Sequence, residues 1–313
     1  MHAAANNLRG GVSPRNTRLR GQSIIEYVLI VAVIGLVIVF AGPGVAGAIR
    51  NQFNQVTNTV DSGTDGDNFM SAEEKAYQEA MKTVVNKDAK DWTLDEQKAA
   101  ATDIAKNGTS SVVYAKAKAA MDAGTKFTMK LTNGKTLEYR IIGINHDDLA
   151  DGSGKAGLTF EATNNGLGAQ RMNATNANAG GWEKSELRDR INSSDLWALL
   201  PSELQSKVKS VTKMTDNQGG GKAGTPSATT DKVFLLSATE VWGDMQSDGV
   251  QYEYYKSKGV TKSSYFGASS DFLHWTRSVN PSASTNFRGV HVNGDWYNNS
   301  ASGAYCIYPA WCF

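Results

Sequence analysis

Two thiols are the most reactive pair the sequence offers: Cys306 and Cys312 lie within the last eight residues, with five residues between them. That spacing suits a disulfide closing one small loop in an oxidising compartment, a contribution of about 2 to 3 kcal/mol. Two thiols without a nearby histidine pair are too few for a closed zinc shell. The four histidines, His2, His146, His274 and His291, are scattered and predict surface or packing roles. Asp148 and Asp151 in "DLADGSG" are calcium-type oxygen ligands, but the spacing and closing glutamate of an EF-hand loop are absent, so a turn is expected there. "DNQGGGKAG" has the glycines and lysine of a phosphate cradle without a preceding strand or a GK[ST] ending, and predicts a flexible loop. No GxSxG, HExxH or dinucleotide-binding glycine pattern appears in a supporting context. The residues therefore point to no catalytic centre, metal or cofactor.

A carboxylate in an unusual place is more informative. Glu26 stands two residues before an unbroken apolar run, Val28 to Phe40, which resumes weakly as far as Ile49. At about 1.5 Å per residue, the span from Ile24 to Ile49 is long enough to cross a hydrocarbon core of roughly 30 Å. Arg9, Arg15, Arg18 and Arg20 precede it, and the positive-inside rule keeps them cytoplasmic. A secretory signal peptide with Ala46, Gly47 and Ala48 for cleavage, a plain membrane anchor and a prepilin all fit this layout. An ionised acid in a lone spanning helix costs on the order of 2.5 to 3.5 kcal/mol. That cost favours the prepilin, in which the amino terminus of a neighbouring subunit neutralises the acid.

The stretch "RGQSIIEYVLIVAVIGLVIV" resembles the processing site of the Flp (type IVb, tight-adherence) pilins and their TadE-like relatives. The resemblance implies that prepilin peptidase removes residues 1–21 after Gly21 and leaves Gln22 as the first mature residue. Glu26 and Tyr27 then fill the family's assembly positions, in a transmembrane and pilus-assembly helix over residues 22–60. Flp pilins are little more than this helix. More than 250 residues follow here, which implies a minor or tip subunit and not the bulk fibre.

Behind these residues stand the elements that must carry them. Residues 61–123 open as a polar linker and become rich in Ala, Lys, Glu and Asp. "SAEEKAYQEAMKTVV" predicts a helix capped by Ser71 with Glu74 three residues on. "TLDEQKAAATDIAKNG" and "SSVVYAKAKAAMDAG" predict two more, stopped by Gly108 and Gly124. Together they read as a small helical spacer. Beyond Gly124 the period shortens to two, and "TKFTMKLTNGKTLEYRIIGIN" predicts a hairpin on Asn133 and Gly134. "GLTFEAT" and "DKVFLLSATEVW" read as strands, "GWEKSELRDRINSSDLWALLPSELQSKVKSV" as two helices and residues 214–230 as a loop.

The last forty residues interleave aromatic anchors with Ser, Asn, Asp, His and Tyr, the composition of a recognition surface. "GWEKSELRDRINSSDLWALLP", "DKVFLLSATEVWG", "WTRS" and "YPAWCF" resemble, over residues 124–313, a C-type-lectin-like domain related to the formylglycine-generating-enzyme fold. A version of it occurs in the target proteins of diversity-generating retroelements. The resemblance implies variable ligand contacts at Ser282, Ser284, Asn286, His291, Asn293, Asp295, Tyr297, Asn298, Asn299, Ser300, Ser302 and Tyr305. Trp275, Arg277, Phe287, Trp296, Pro309 and Trp311 would be scaffold. Formylglycine-generating enzymes hold copper on a cysteine pair, but the place and spacing of Cys306 and Cys312 speak against that chemistry here.

The formal net charge is +1, and subtracting the four leading arginines leaves the rest at −3, with no basic stripe for nucleic acid. The expected fold class is α+β: a long N-terminal hydrophobic pilin helix, a small helical spacer and a C-terminal C-type-lectin-like domain. The expected function is that of a minor or tip pilin, not an enzyme. It would pass through the cytoplasmic membrane and sit among other pilin subunits on the cell surface, where its head binds a protein or glycan ligand on a host or microbe. A membrane-tethered binding protein without a filament and, further off, a copper-dependent enzyme are the alternatives.

Overall fold

The computed structural model describes residues 70–313. Helix α1 (Ala72–Val84) begins at Ser71, whose hydroxyl accepts the Glu74 amide. Helix α2 (Leu94–Asn107) starts on a full capping box between Thr93 and Glu96 and ends at Gly108, and α3 (Tyr114–Ala123) stops on Gly124 in the left-handed region. Those end signals satisfy backbone groups that a helix would otherwise leave open.

Two five-stranded sheets follow. The first has the order β1 (Phe127–Lys130), β2 (Thr136–Ile144), β3 (Leu158–Ala162), β12 (Ala310–Cys312), β7 (Val233–Phe234), antiparallel throughout. The second has the order β10 (Trp296–Ser300), β9 (Asn286–Val290), β8 (His274–Val279), β11 (Tyr305–Cys306), β4 (Ala169–Gln170), and only its β8–β11 pair is parallel. β5 (Val211–Thr215) and β6 (Ser227–Asp231) form a separate hairpin. Between strands lie α4 (Glu186–Ser193), α5 (Ser202–Gln205), α6 (Ala238–Trp242) and α7 (Glu253–Ser257).

β3 is buried at all five positions, so both of its faces are covered. On one side Phe160 stacks on Trp311 with ring centroids 6.0 Å apart, and Tyr139 meets Trp311 at 5.0 Å. The helices close the core. Gln97 of α2 donates to the Tyr139 hydroxyl at 3.1 Å, Asn145 donates to the Ile104 carbonyl, and Tyr77 of α1 donates to Asp103 at 3.0 Å. Gly157 passes so close to α2 that a Cβ there would lie 1.8 Å from the Ala101 carbonyl oxygen.

The expected fold class is therefore corrected. The described residues form one α+β unit, and no helix among them is long and apolar enough to cross a membrane. The three helices of the expected spacer are not set apart: their apolar faces share one core with the sheets. The expected leader, the helix over 22–60 and the residues Gly21, Gln22, Glu26 and Tyr27 lie outside the described residues. Two further differences are local. "DKVFLLSATEVW" is strand at Asp231, the end of β6, and at Val233–Phe234 and then becomes α6, and the expected loop over 214–230 is partly strand, in β5 and β6.

Candidate functional site

The tail residues gather on the β9–β10 hairpin, an outer edge of the second sheet. Its turn runs through His291–Asp295, where the His291 amide donates to the Asp295 carbonyl at 2.8 Å. Gly294 is required there on two counts: its φ is 89°, and a Cβ would meet the Tyr265 carbonyl oxygen at 2.1 Å. The buried Trp242 indole donates to the Gly294 carbonyl at 3.0 Å and pins the turn from beneath.

Strand alternation then sorts the side chains. Across the pair, Asn298 faces Arg288, Trp296 faces Val290, Ser300 faces Asn286 and Asn299 faces Phe287. The Arg288 guanidinium lies over the Trp296 ring, 5.2 Å from its centroid, so these two share the outward face with Asn286, Asn298 and Ser300. Ser300 reaches on to Asn176 through its hydroxyl. Asn299 points the other way and is only 2% exposed beside the buried Phe287. It is no surface contact, and it leaves the expected set for a steric reason: one residue of register separates the two faces.

The other expected contacts are more dispersed. His291, Asn293 and Asp295 form the turn itself, with Asn293 Oδ1 accepting the Asp295 amide at 3.1 Å. Tyr297 is 51% exposed and its ring centroid is 6.0 Å from that of His291. Ser282 and Ser284 are exposed on the loop before β9, which Asn178 organises by donating to the Ala283 and Asn286 carbonyls. Ser302 is exposed past the end of β10, whereas Tyr305 packs edge-on against Trp275 at 5.0 Å. Of the residues expected as scaffold, Trp275, Arg277, Phe287, Pro309 and Trp311 are buried, but Trp296 is 39% exposed. Arg288 was missed altogether. Its signal was present in the alternation with Phe287 in "NFRGV", which places it on the face opposite the core.

A buried charge network stands behind this edge. Lys213 Nζ is 2.6 Å from Asp147 Oδ1 and 2.6 Å from Glu240 Oε1, and Arg277 takes both Glu240 oxygens and donates from Nε to Thr215. Tyr252 and Thr159 donate further hydrogen bonds to Asp147. Burial drives the Asp147 carboxyl upward, but the charges of Lys213 and His146 overcome it and hold the group well below the usual range. Glu240 follows the same pattern, with burial opposed by Arg277 and then Lys213 and a net fall. Asp147, Lys213, Glu240 and Arg277 are each at most 3% exposed, so no substrate reaches them. This is frame, not reactive surface.

The cysteines are corrected as well. Cys306 and Cys312 are both free and buried, and they sit in different sheets: Cys306 pairs with Ala169 and His274, Cys312 with Thr159. The intervening residues carry the chain from one sheet to the other, so the expected small disulfide loop does not form. Burial pushes both thiols above their usual range. Asp148 is paired with Lys155 at 2.9 Å and Asp151 accepts from the Ser153 amide and hydroxyl, the arrangement of a turn. Among the described residues, no group of three or more His, Cys, Asp or Glu side chains is placed to hold a metal ion.

The profile of DUF6273, a domain of unknown function, matches residues 154–313, half of the chain. No curated protein and no solved structure matches.

Proposed function

We propose, for a chain that belongs to the DUF6273 family, that it is an exported binding protein whose β9–β10 hairpin meets the ligand. The observation that carries this is the outward face of that hairpin. There, Trp296 and Arg288 stack among the amides of Asn286 and Asn298 and the hydroxyl of Ser300, on a strand pair fastened from behind by buried hydrogen bonds. A rigid aromatic surrounded by adaptable polar groups binds at low entropic cost. The likeness of the tail to retroelement-diversified proteins supports the same assignment.

The leading residues supply the route of display. Prepilin peptidase cleaves between Gly21 and Gln22, and Glu26 and Tyr27 then engage other pilin subunits, so that the chain leaves the cytoplasmic membrane as a minor or tip pilin. The protein turns over no substrate in this role.

Two experiments test the two halves. The full chain and a Trp296→Ala, Asn298→Ala, Ser300→Ala variant are applied to immobilised glycans and surface proteins. At least a tenfold loss of the captured signal in the variant is expected, and equal capture overturns the binding assignment. Mass spectrometry of the mature amino terminus is expected to read Gln22; a start after Ala48, or an intact leader, overturns the pilin route.

A further inference from the structure

Among the described residues, Arg288 is out of keeping with the other arginines. Arg140, Arg188, Arg190 and Arg277 each meet a carboxylate, and Arg171 stands in solvent. Arg288 is largely withdrawn from water, yet it has no carboxylate within ion-pair distance among the described residues. Its Nε donates to Gln246 Oε1 at 2.6 Å, which fixes the guanidinium plane and leaves the terminal Nη1 and Nη2 without a protein acceptor among the described residues. Asp248, the acid that acts on it from behind, already serves Ser278 and the Thr239 amide. A half-desolvated guanidinium held in one plane with its end-on fork free is built to take a planar anion by two parallel hydrogen bonds.

The neighbours specify what carries that anion. The Trp296 ring lies under the guanidinium and is 39% exposed, so its uncovered side offers a flat apolar surface to the C–H edge of a pyranose. Asn298, directly across from Arg288, is half-buried, with its Oδ1 turned inward and without a donor among the described residues, and Asn286 and Ser300 continue the polar row. An acidic peptide side chain would use the fork and leave this row idle, whereas a sugar ring presents hydroxyls to it.

We propose that the outward face of β9–β10 holds a carboxylated sugar, its carboxylate on Arg288 and its ring against Trp296; this rests on the binding assignment above and names the ligand class. The test is calorimetric titration of the full chain with methyl glucuronide, methyl N-acetylneuraminide and the neutral methyl glucoside. At least one acidic sugar is expected to bind tenfold or more tightly than the neutral one, and the two acidic arms separate uronic from sialic sources. Arg288→Gln is expected to abolish the preference and Arg288→Lys to keep part of it, with unchanged thermal unfolding showing that both fold. Equal binding of acidic and neutral sugars, no binding of either acid, or an Arg288→Gln variant that keeps the preference overturns the proposal. If the full chain still captures a protein or a neutral glycan through Trp296 and Asn298, the sugar proposal fails while the binding assignment survives.

Discussion

Arg277 grips Glu240 with two nitrogens, Nη2 lying 2.9 Å from Oε1, at a depth where neither side chain meets solvent. Lys213 approaches the same carboxylate from the other side at 2.6 Å. Removing Arg277 leaves two buried carboxylates, Asp147 and Glu240, to share Lys213, and the uncompensated charge costs more than the pair contributes. Arg277→Met is expected to lower the unfolding free energy by about 3 to 5 kcal/mol, measured by urea denaturation. A loss below about 1 kcal/mol would show the network to be dispensable.

Gly157 tests whether the helices belong to the head. A methyl group there meets the Ala101 carbonyl, which is backbone and has no rotamer to yield. Gly157→Ala is expected to cost about 1 to 3 kcal/mol or more through overpacking, seen as a drop in Tm. A spacer hinged free of the sheets would swing aside and leave Tm unchanged.

His274 ties stability to pH. It is buried in β8 with its ring stacked on Tyr308, centroids 4.0 Å apart, and burial pulls its pKa down from 6.5 to about 4. The unfolded chain thus binds the proton more readily than the folded one between those values. Stability from this group is fully present above pH 6.5 and is lost as pH falls toward about 4. The loss amounts to roughly 3 kcal/mol. His146 acts in the opposite sense: burial lowers it, but Glu253 and Asp147 raise it on balance, so its contribution fades as pH rises. A His274→Gln variant compared with the parent at pH 7 and pH 5 isolates the first effect, and the parent is expected to lose more stability than the variant.

Both thiols are expected to be silent in the native protein. Intact mass should be the same before and after reduction, and iodoacetamide should modify Cys306 and Cys312 only once denaturant is added. A reduction-dependent mass would restore the disulfide.

The edge of the second sheet should tolerate change that its interior does not. Trp296→Ala and Tyr297→Ala are each expected to move the unfolding free energy by about 0.5 kcal/mol or less. Phe287→Ala, on the buried side of the same hairpin, should cost about 3 to 5 kcal/mol.

Local rules made some of this legible in advance and hid the rest. Caps such as Ser71 and Gly124 and the Asn133–Gly134 turn act over a few residues, so their chemistry can be read directly. The same turn dipeptide recurs at Asn293 and Gly294 and went unread as a hairpin, and the Ser237–Glu240 capping box that begins α6 was lost in an apolar run. Asn299 was misplaced because composition marks a segment while burial is decided by register. The meeting of Asp147, Lys213, Glu240 and Arg277 left no trace in spacing, since only the folded sheets bring such distant positions together.

β10 touches its sheet through β9 alone. A lineage can therefore repaint that rim, residue by residue, while the ionic lattice beneath never learns of it, and novelty at the surface need not be traded against the ability to fold.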